Sequence, residues 1–317
     1  MNHRRYGRIT LFAAMTLVFS QHRTIIYGPM VVNNCTSPVI NTGGTLTPVV
    51  NILFAVVAIG NDSPNADVVN ENVNAAIAMG RNQSKYNVDC IIFSYAFYYQ
   101  EPQWLHEMED GTVQSPCEIV RMFKMNYIGF LKMIAPALLR DHYKYLFLSI
   151  DDVALTAKYG ATFDFKIFFD IVELQQLQVV SSVIEGTVHA HLRPRELTNA
   201  TQIGRFVDMI EFQAIAFTAD AWACMYELVD TEYPSGWGID YWFWNYCVVE
   251  GKGSAENWKL GVIDTMKVVH NPFHLPSRGA DSGFGRQLVR SQINSWSNDR
   301  GIRLIGKSFN HQTLGFF

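Results

Sequence analysis

The feature that most narrows what this chain can fold into is a series of short apolar runs that stop at polar or acidic residues and alternate with helical patterns. From Val49 to Gly60 the sequence is almost continuously apolar and ends in Gly-Asn-Asp, as a strand buried on both faces does where it meets a loop. Asn70 to Asn82 reads as a helix, and Asp89 to Phe97 as a second buried strand. Tyr127 to Arg140 has helical spacing, with Ile128, Leu131, Ile134 and Leu138 on one face and a bend expected at Pro136. A third strand, Tyr145-Leu-Phe-Leu-Ser-Ile150, runs straight into Asp151-Asp152. A helix over Phe163 to Gln178 follows, with Asp164 placed to cap it. Residues 183–206 read as a polar connection. Ile210 to Thr218 is expected as a strand that feeds a helix from Ala219 to Val229, with Thr218 at its N-cap. Next come a turn from Tyr233 to Asp240, an aromatic-rich helix to Glu250, a strand over Leu260 to Asp264, and the β-like run Val268-Val269-His270. Strand alternating with helix implies an α/β fold with a central, mostly parallel sheet flanked by helices.

The first 23 residues have a different character. A basic leader with Arg4, Arg5 and Arg8 precedes a largely apolar stretch from Ile9 to Ser20, and polar residues return at Gln21. A spanning helix needs about 20 apolar residues and a secretory h-region about 7 to 15, so residues 1–23 are expected to be a signal peptide or signal anchor. Possible membrane anchorage would rest on this segment. Residues 24–48, rich in Thr, Pro, Asn and Gly, suit a linker or stalk. The folded domain is expected over 49–276, with 277–317 as a C-terminal appendage.

Asn-x-Ser/Thr triplets at Asn34, Asn61, Asn82 and Asn199 give mild support to passage through a secretory lumen. The cysteines, Cys35, Cys90, Cys117, Cys224 and Cys247, show no zinc-type spacing. Most of them read as small buried side chains, and their odd number leaves at least one unpaired if disulfides form.

With 25 Lys plus Arg against 29 Asp plus Glu and a formal net charge of −4, the chain has no basic field to hold nucleic acid, so no nucleic-acid partner is expected. The chemistry points elsewhere. Two adjacent carboxylates after an apolar strand cannot both enter a core without severe desolvation, so at least one of Asp151 and Asp152 should face a cleft. In open α/β sheets ligands bind at that edge. His270 ends a β-like run before Asn-Pro and is expected at the same kind of edge. One or two carboxylates with an imidazole could hold Mn²⁺ or Mg²⁺, ions that keep coordination positions for diphosphate oxygens. Glu211, at the start of an apolar strand, and Asp240, after Gly236-Trp237-Gly238, are the candidate acid/base carboxylates. Their structural alternatives are an ion pair of Glu211 with Arg205 or Lys124, and a helix cap at Asp240. Trp237, Trp242 and Trp244 could form a stacking platform for a sugar, or simply core.

These segments, in this order, resemble the domain-of-unknown-function 707 family, whose members look like glycosyltransferases of the GT-A type. The resemblance runs from about Asn51 to His270. It is carried by Tyr145 to Val153, by Ile210-Glu211 with Phe217-Thr218 and Ala221-Trp222, by Trp237-Gly-Ile-Asp240, and by Leu260 to Thr265 with Val268-Val269-His270. It implies a single GT-A-like (Rossmann-like) domain that moves a sugar from a nucleoside diphosphate-sugar donor to a hydroxyl on a glycan, protein or lipid acceptor. Asp152 and His270 would hold a divalent cation, and Asp151 with Asp152 would contact the donor. Asp240 or Glu211 would be the catalytic or acceptor-binding carboxylate. The setting would be the lumen of the Golgi or endoplasmic reticulum, or outside the cell. Ile150 occupies the first position of the family's acidic triplet. That departure keeps open a non-catalytic glycan-binding or structural protein on the same fold.

Overall fold

The computed structural model describes residues 49–58, 65–82, 85–94, 106–107, 113–114, 117–121, 127–187, 189–197, 201–229, 239–249, 258–273 and 313–317, with isolated positions at 291, 294, 295 and 298. The expected leader and stalk, the triplets at Asn34, Asn61 and Asn199, Cys35, Lys124 and Trp237 lie outside these residues. Strands are β1 (Val50–Ala58), β2 (Tyr86–Ser94), β3 (His106–Glu107), β4 (Val113–Gln114), β5 (Glu118–Arg121), β6 (Tyr145–Ile150), β7 (Val153–Ala154), β8 (Val179–Glu185), β9 (Gly204–Val207), β10 (Ala214–Thr218), β11 (Leu260–His270) and β12 (Thr313–Phe316). Helices are α1 (Ala66–Asn82), α2 (Tyr127–Met133), α3 (Pro136–His142), α4 (Phe165–Gln175), α5 (Ala219–Leu228) and α6 (Ile239–Phe243), the last continued by a π turn over Trp244–Val249.

A ten-stranded sheet has the order β12-β9-β11-β8-β10-β6-β1-β2-β5, with β7 attached to β11. β5, β2, β1 and β6 are parallel to one another, β8 is parallel to β11, and β10 runs antiparallel between β6 and β8. The expected mostly parallel α/β sheet is therefore present. Its apolar strands are covered on both faces: Ile52 through Val57 and Leu146 through Leu148 are all buried. Phe147 is the centre of an aromatic cluster in which Phe54, Phe163, Phe165, Phe168 and Phe169 lie 5.4–6.2 Å away, which seats α4 on the sheet. Asp164 caps α4 by accepting from Ile167 N at 2.9 Å, and Thr218 caps α5, both as expected.

Several elements differ from the sequence reading. The helix expected over 127–140 is two helices, because Pro136 holds Ala135 extended (φ −63°, ψ 137°). The carbonyl of Ile134 at this break accepts from the indole Nε1 of buried Trp222 at 2.7 Å. The polar connection expected over 183–206 contains the end of β8 and the start of β9. In β8 the buried pair Ser181-Ser182 interrupts the apolar run, and Ser181 donates to Ala214 O at 2.7 Å. The runs at 260–264 and 268–270 are one strand with a register shift between Ile263 and Lys267. Residues 313–316, the end of the expected appendage, form an edge strand on β9.

Arg205 does not pair with Glu211. Its guanidinium is fully buried against the carboxylate of Asp264, also fully buried. Burial pushes the Arg205 pKa down and the Asp264 pKa up, each partly offset by the other's charge. The cysteines are not merely small core residues either. Cys90–Cys117 ties β2 to the residue before β5, and Cys224–Cys247 ties α5 to the π turn after α6.

At the opposite end of the parallel strands from their C termini, Asp170 of α4 accepts from Lys85 Nζ (2.7 Å), Tyr86 Oη (2.6 Å) and Lys166 Nζ (2.6 Å). Burial opposes its charge, but these bonds outweigh burial and hold the carboxyl well below the usual range. A carboxyl depressed in the folded state contributes stability that is present above its unfolded pKa and lost as pH falls through the folded value. Chemical denaturation between pH 5 and 2 should therefore show an acid loss of stability that is smaller in Asp170→Asn. Removing one partner of the buried pair, Asp264→Ala, should cost about 3–5 kcal/mol, because it strands the Arg205 charge. A denaturation midpoint unchanged from the parent would contradict this.

Candidate functional site

β1 leads to β2 on one side of itself, and after β5 the chain returns to β6 on the other side. That reversal places a crevice at the C-terminal ends of β1 and β6, where ligands enter doubly wound sheets. Asp151 and Asp152 follow β6 at this edge. The turn that carries them is fixed by contacts that the sequence did not reveal. Asn72, fully buried on α1, donates to Val153 O at 2.7 Å and accepts from Leu155 N at 2.8 Å, so one amide satisfies the edge of the short strand β7 that faces away from β11. β7 then pairs antiparallel with the end of β11, Val153 opposite His270 and Ala154 opposite Val269. Asn271 N donates to Asp152 O at 2.7 Å and closes the junction.

The consequence is that Asp152 and His270, 118 positions apart in sequence, meet with His270 Nε2 3.3 Å from Asp152 Oδ2. Both side chains remain partly exposed, at 33% and 27%, so a solute can reach them. Asp152 Oδ1, by contrast, is buried with no hydrogen-bond partner. A buried carboxylate oxygen without a donor is costly and calls for a proton donor or a cation. Burial opposes the charged form of His270, but the bond and charge of Asp152, the charge of Glu211 and a backbone bond to Gly186 overcome it and raise the imidazole pKa. Gly186 has φ +92°, and a Cβ there would lie 2.9 Å from His270 O, so backbone conformation and close approach both require glycine.

Glu211 joins this group, though not from within a strand. β10 begins at Ala214, and residues 211–213 form a turn in which Gln213 N donates to Glu211 O at 2.9 Å. Gln213 O accepts from Ile150 N at 3.0 Å, which sets the turn beside the acidic pair. The Glu211 carboxylate is held at both oxygens, by Thr187 Oγ1 and by Gln213 Nε2, each at 2.7 Å. The alternative of an ion pair with Arg205 is not realised, and these two neutral donors hold the carboxylate instead. Thr187 Oγ1 in turn accepts from His189 N at 3.1 Å, and Thr187 O accepts from Arg193 Nε at 3.0 Å. Asp151 is buried, and Asp240 sits in the first turn of α6, a helix that packs against α5. Trp244 is half-buried in the π turn, and Trp242 lies on α6.

A carboxylate, an imidazole and a second, rigidly held carboxylate thus converge at the C-terminal edge of the sheet. Asp152 and His270 are residue types that could serve as two ligands of a cation, and Glu211 could accept from a hydroxyl. A hydrogen bond to a charged group contributes about 1.5–3 kcal/mol, so Thr187→Val should destabilise the fold by about that much. In a Glu211→Gln background the same substitution should cost distinctly less. Equal costs in the two backgrounds, measured by urea denaturation, would mean that the Thr187–Glu211 bond contributes nothing.

Solved structures similar to this chain include GalNAc-T7 crystallised with UDP, GalNAc and Mn²⁺ (11% identity, TM-score 0.46), of whose length the match spans 55% while covering 80% of this chain. A candidate nucleotide-diphospho-sugar transferase from Desulfovibrio desulfuricans G20 has 10% identity and a TM-score of 0.40 over 79% of this chain and 95% of its own. A197 from STIV has 12% identity and a TM-score of 0.34 over 69% and 85%. No curated protein matches the chain. The model of one protein family, described as "Protein of unknown function (DUF707)", matches residues 130–304, which take in β6 through β11 and with them the acidic turn, Glu211 and His270. Because that match spans more than half of the sequence, the chain belongs to the DUF707 family.

Proposed function

We propose that this protein is a metal-dependent glycosyltransferase of the secretory lumen, moving a sugar from a nucleoside diphosphate donor to a hydroxyl on a glycan, protein or lipid. The observation that carries the reading is the meeting of Asp152 and His270 beside Glu211, with Asp152 Oδ1 buried and unpartnered. These donors fit Mn²⁺ or Mg²⁺: a carboxylate oxygen and an imidazole nitrogen are ordinary ligands for such ions. Among the described residues no group of three or more His, Cys, Asp and Glu gathers as a metal site. The fit is therefore to an ion whose remaining positions are filled by water and donor phosphates. When bound, such an ion neutralises the charge that builds on a departing nucleoside diphosphate.

The chain's own residues supply the rest. Asp152 and His270 would hold the ion, and Asp151, buried behind them, would orient the donor or a water ligand. Asp240 would take the proton from the attacking hydroxyl. Glu211, fixed at both oxygens, has the rigidity of an anchor for an acceptor hydroxyl. The two disulfides support an oxidising compartment, in keeping with the leader-like residues 1–23. A non-catalytic glycan-binding protein is the second reading, favoured by Ile150 in the first acidic position.

Thermal unfolding of the purified protein with a panel of nucleoside diphosphates, with and without Mn²⁺, separates the two readings. A transferase should be stabilised only when nucleotide and metal are both present, and Asp152→Asn and His270→Ala should each abolish the shift. Stabilisation by oligosaccharides alone, with no nucleotide effect in any metal, would overturn the enzyme reading in favour of the binding protein.

A further inference from the structure

The outer edge of β9 is occupied by β12 and by the residue after it. Phe317 N donates to Gly204 O at 3.0 Å, and Phe317 O accepts from both Ile203 N (2.8 Å) and Gly204 N (3.1 Å). Its ring lies over two glycines. A Cβ on Gly204 would overlap the ring, and one on Gly261 would come within 3.2 Å of it and 2.9 Å of Leu177. Neither glycine has a positive φ, so here it is space and not backbone conformation that excludes a side chain. Phe206 adds a ring contact at 5.0 Å. An aromatic side chain in a fitted seat with its carbonyl held by two N–H groups is more than a frayed edge.

What β9 carries gives this seat its meaning. Arg205, opposite Phe316 in the register, sends one guanidinium nitrogen to Asp264 and the other to the carbonyls of His191 (2.6 Å) and Arg193 (3.2 Å). Arg193 holds Thr187 O, and Thr187 holds Glu211. The Arg205 side chain is fully buried, so its bonds have the strength that a low dielectric confers. A four-residue strand paired on one side only opens at low free energy, and opening admits water to those bonds.

We propose that Phe317 is a positioning residue for the candidate site: by seating β12 it fixes β9 from both edges, keeps Arg205 dry, and so holds the 187–193 segment that fixes Glu211. Its functional meaning rests on Glu211 belonging to a transferase site. The geometry can be tested with no substrate at all.

The test is amide hydrogen exchange on the full chain. In Phe317→Ala, the amides of Ile203 and Gly204 should lose protection, and those of Leu192 and Arg193 should exchange faster by about tenfold, while β1 and β2 are unchanged. Phe317→Leu, which refills most of the seat, should restore both regions. Tyr86→Phe, which removes the bond to Asp170 at the far end of the sheet, should lower overall stability without singling out Leu192 and Arg193. If Phe317→Ala does not fold, Gly261→Ala crowds the same ring by a smaller step and should give the same pattern. Loss of protection confined to residues 203–207, or an equal loss across the whole sheet, would overturn the proposal. If nucleotide and Mn²⁺ fail to stabilise the protein while the exchange pattern holds, the transferase reading falls and the positioning role stands.

Discussion

Two residues of β pairing decide whether this molecule has a site. Val153 and Ala154 hydrogen-bond to the last residues of β11, and without that contact Asp152 and His270 would belong to strands separated in the sheet by β8 and β10. A pairing this short has little stability of its own. It persists because a buried asparagine from α1 satisfies both its outer carbonyl and the following N–H, and because Asn271 N closes the other side. The helix that supplies Asn72 is held to the core by Val68, Val69, Val73 and Ala76, all buried. Local chemistry at the sheet edge thus depends on packing one layer away.

The same edge concentrates buried polar groups. Asp151 is buried, an oxygen of Asp152 is buried and unpartnered, and Gln213 has a buried amide oxygen with no partner while its nitrogen is committed to Glu211. Away from this edge Ser181 donates to Ala214 O, while Ser182 Oγ and Arg205 Nε are buried without a partner. A sheet edge that bears two such acceptors, Asp152 Oδ1 and Gln213 Oε1, is poised to take up donors or cations, since each costs about 1–3 kcal/mol while it lacks a donor.

Much of the fold was legible because fully buried strands write themselves as apolar runs. β1, β2 and β6 were found in this way, with boundaries displaced by up to three residues, as were the caps Asp164 and Thr218. β9 was not, since Gly-Arg-Phe-Val carries a charge whose partner, Asp264, lies on another strand and cannot be seen in a linear pattern. β8 was missed for a related reason: its serines are satisfied by the neighbouring strand, so their polarity says nothing about exposure. At the site, the acidic pair and His270 stood out by residue type and by their place at strand ends. Asn72, Thr187 and Gln213 did not. They act through hydrogen bonds to residues 24 or 81 to 83 positions away, or two positions away across a turn whose form the sequence left open.

The two disulfides join cysteines that are consecutive among those described, at separations of 27 and 23 residues. During synthesis at about 5–20 residues per second, Cys117 emerges a few seconds after Cys90, before any of β6 exists, and Cys247 follows Cys224 before β11 begins. Each bridge can therefore close between nearest neighbours in order of emergence. Neither bridge involves β11, the long strand that brings His270 to the acidic turn, so closing them need not compete with the long-range pairing on which the site depends.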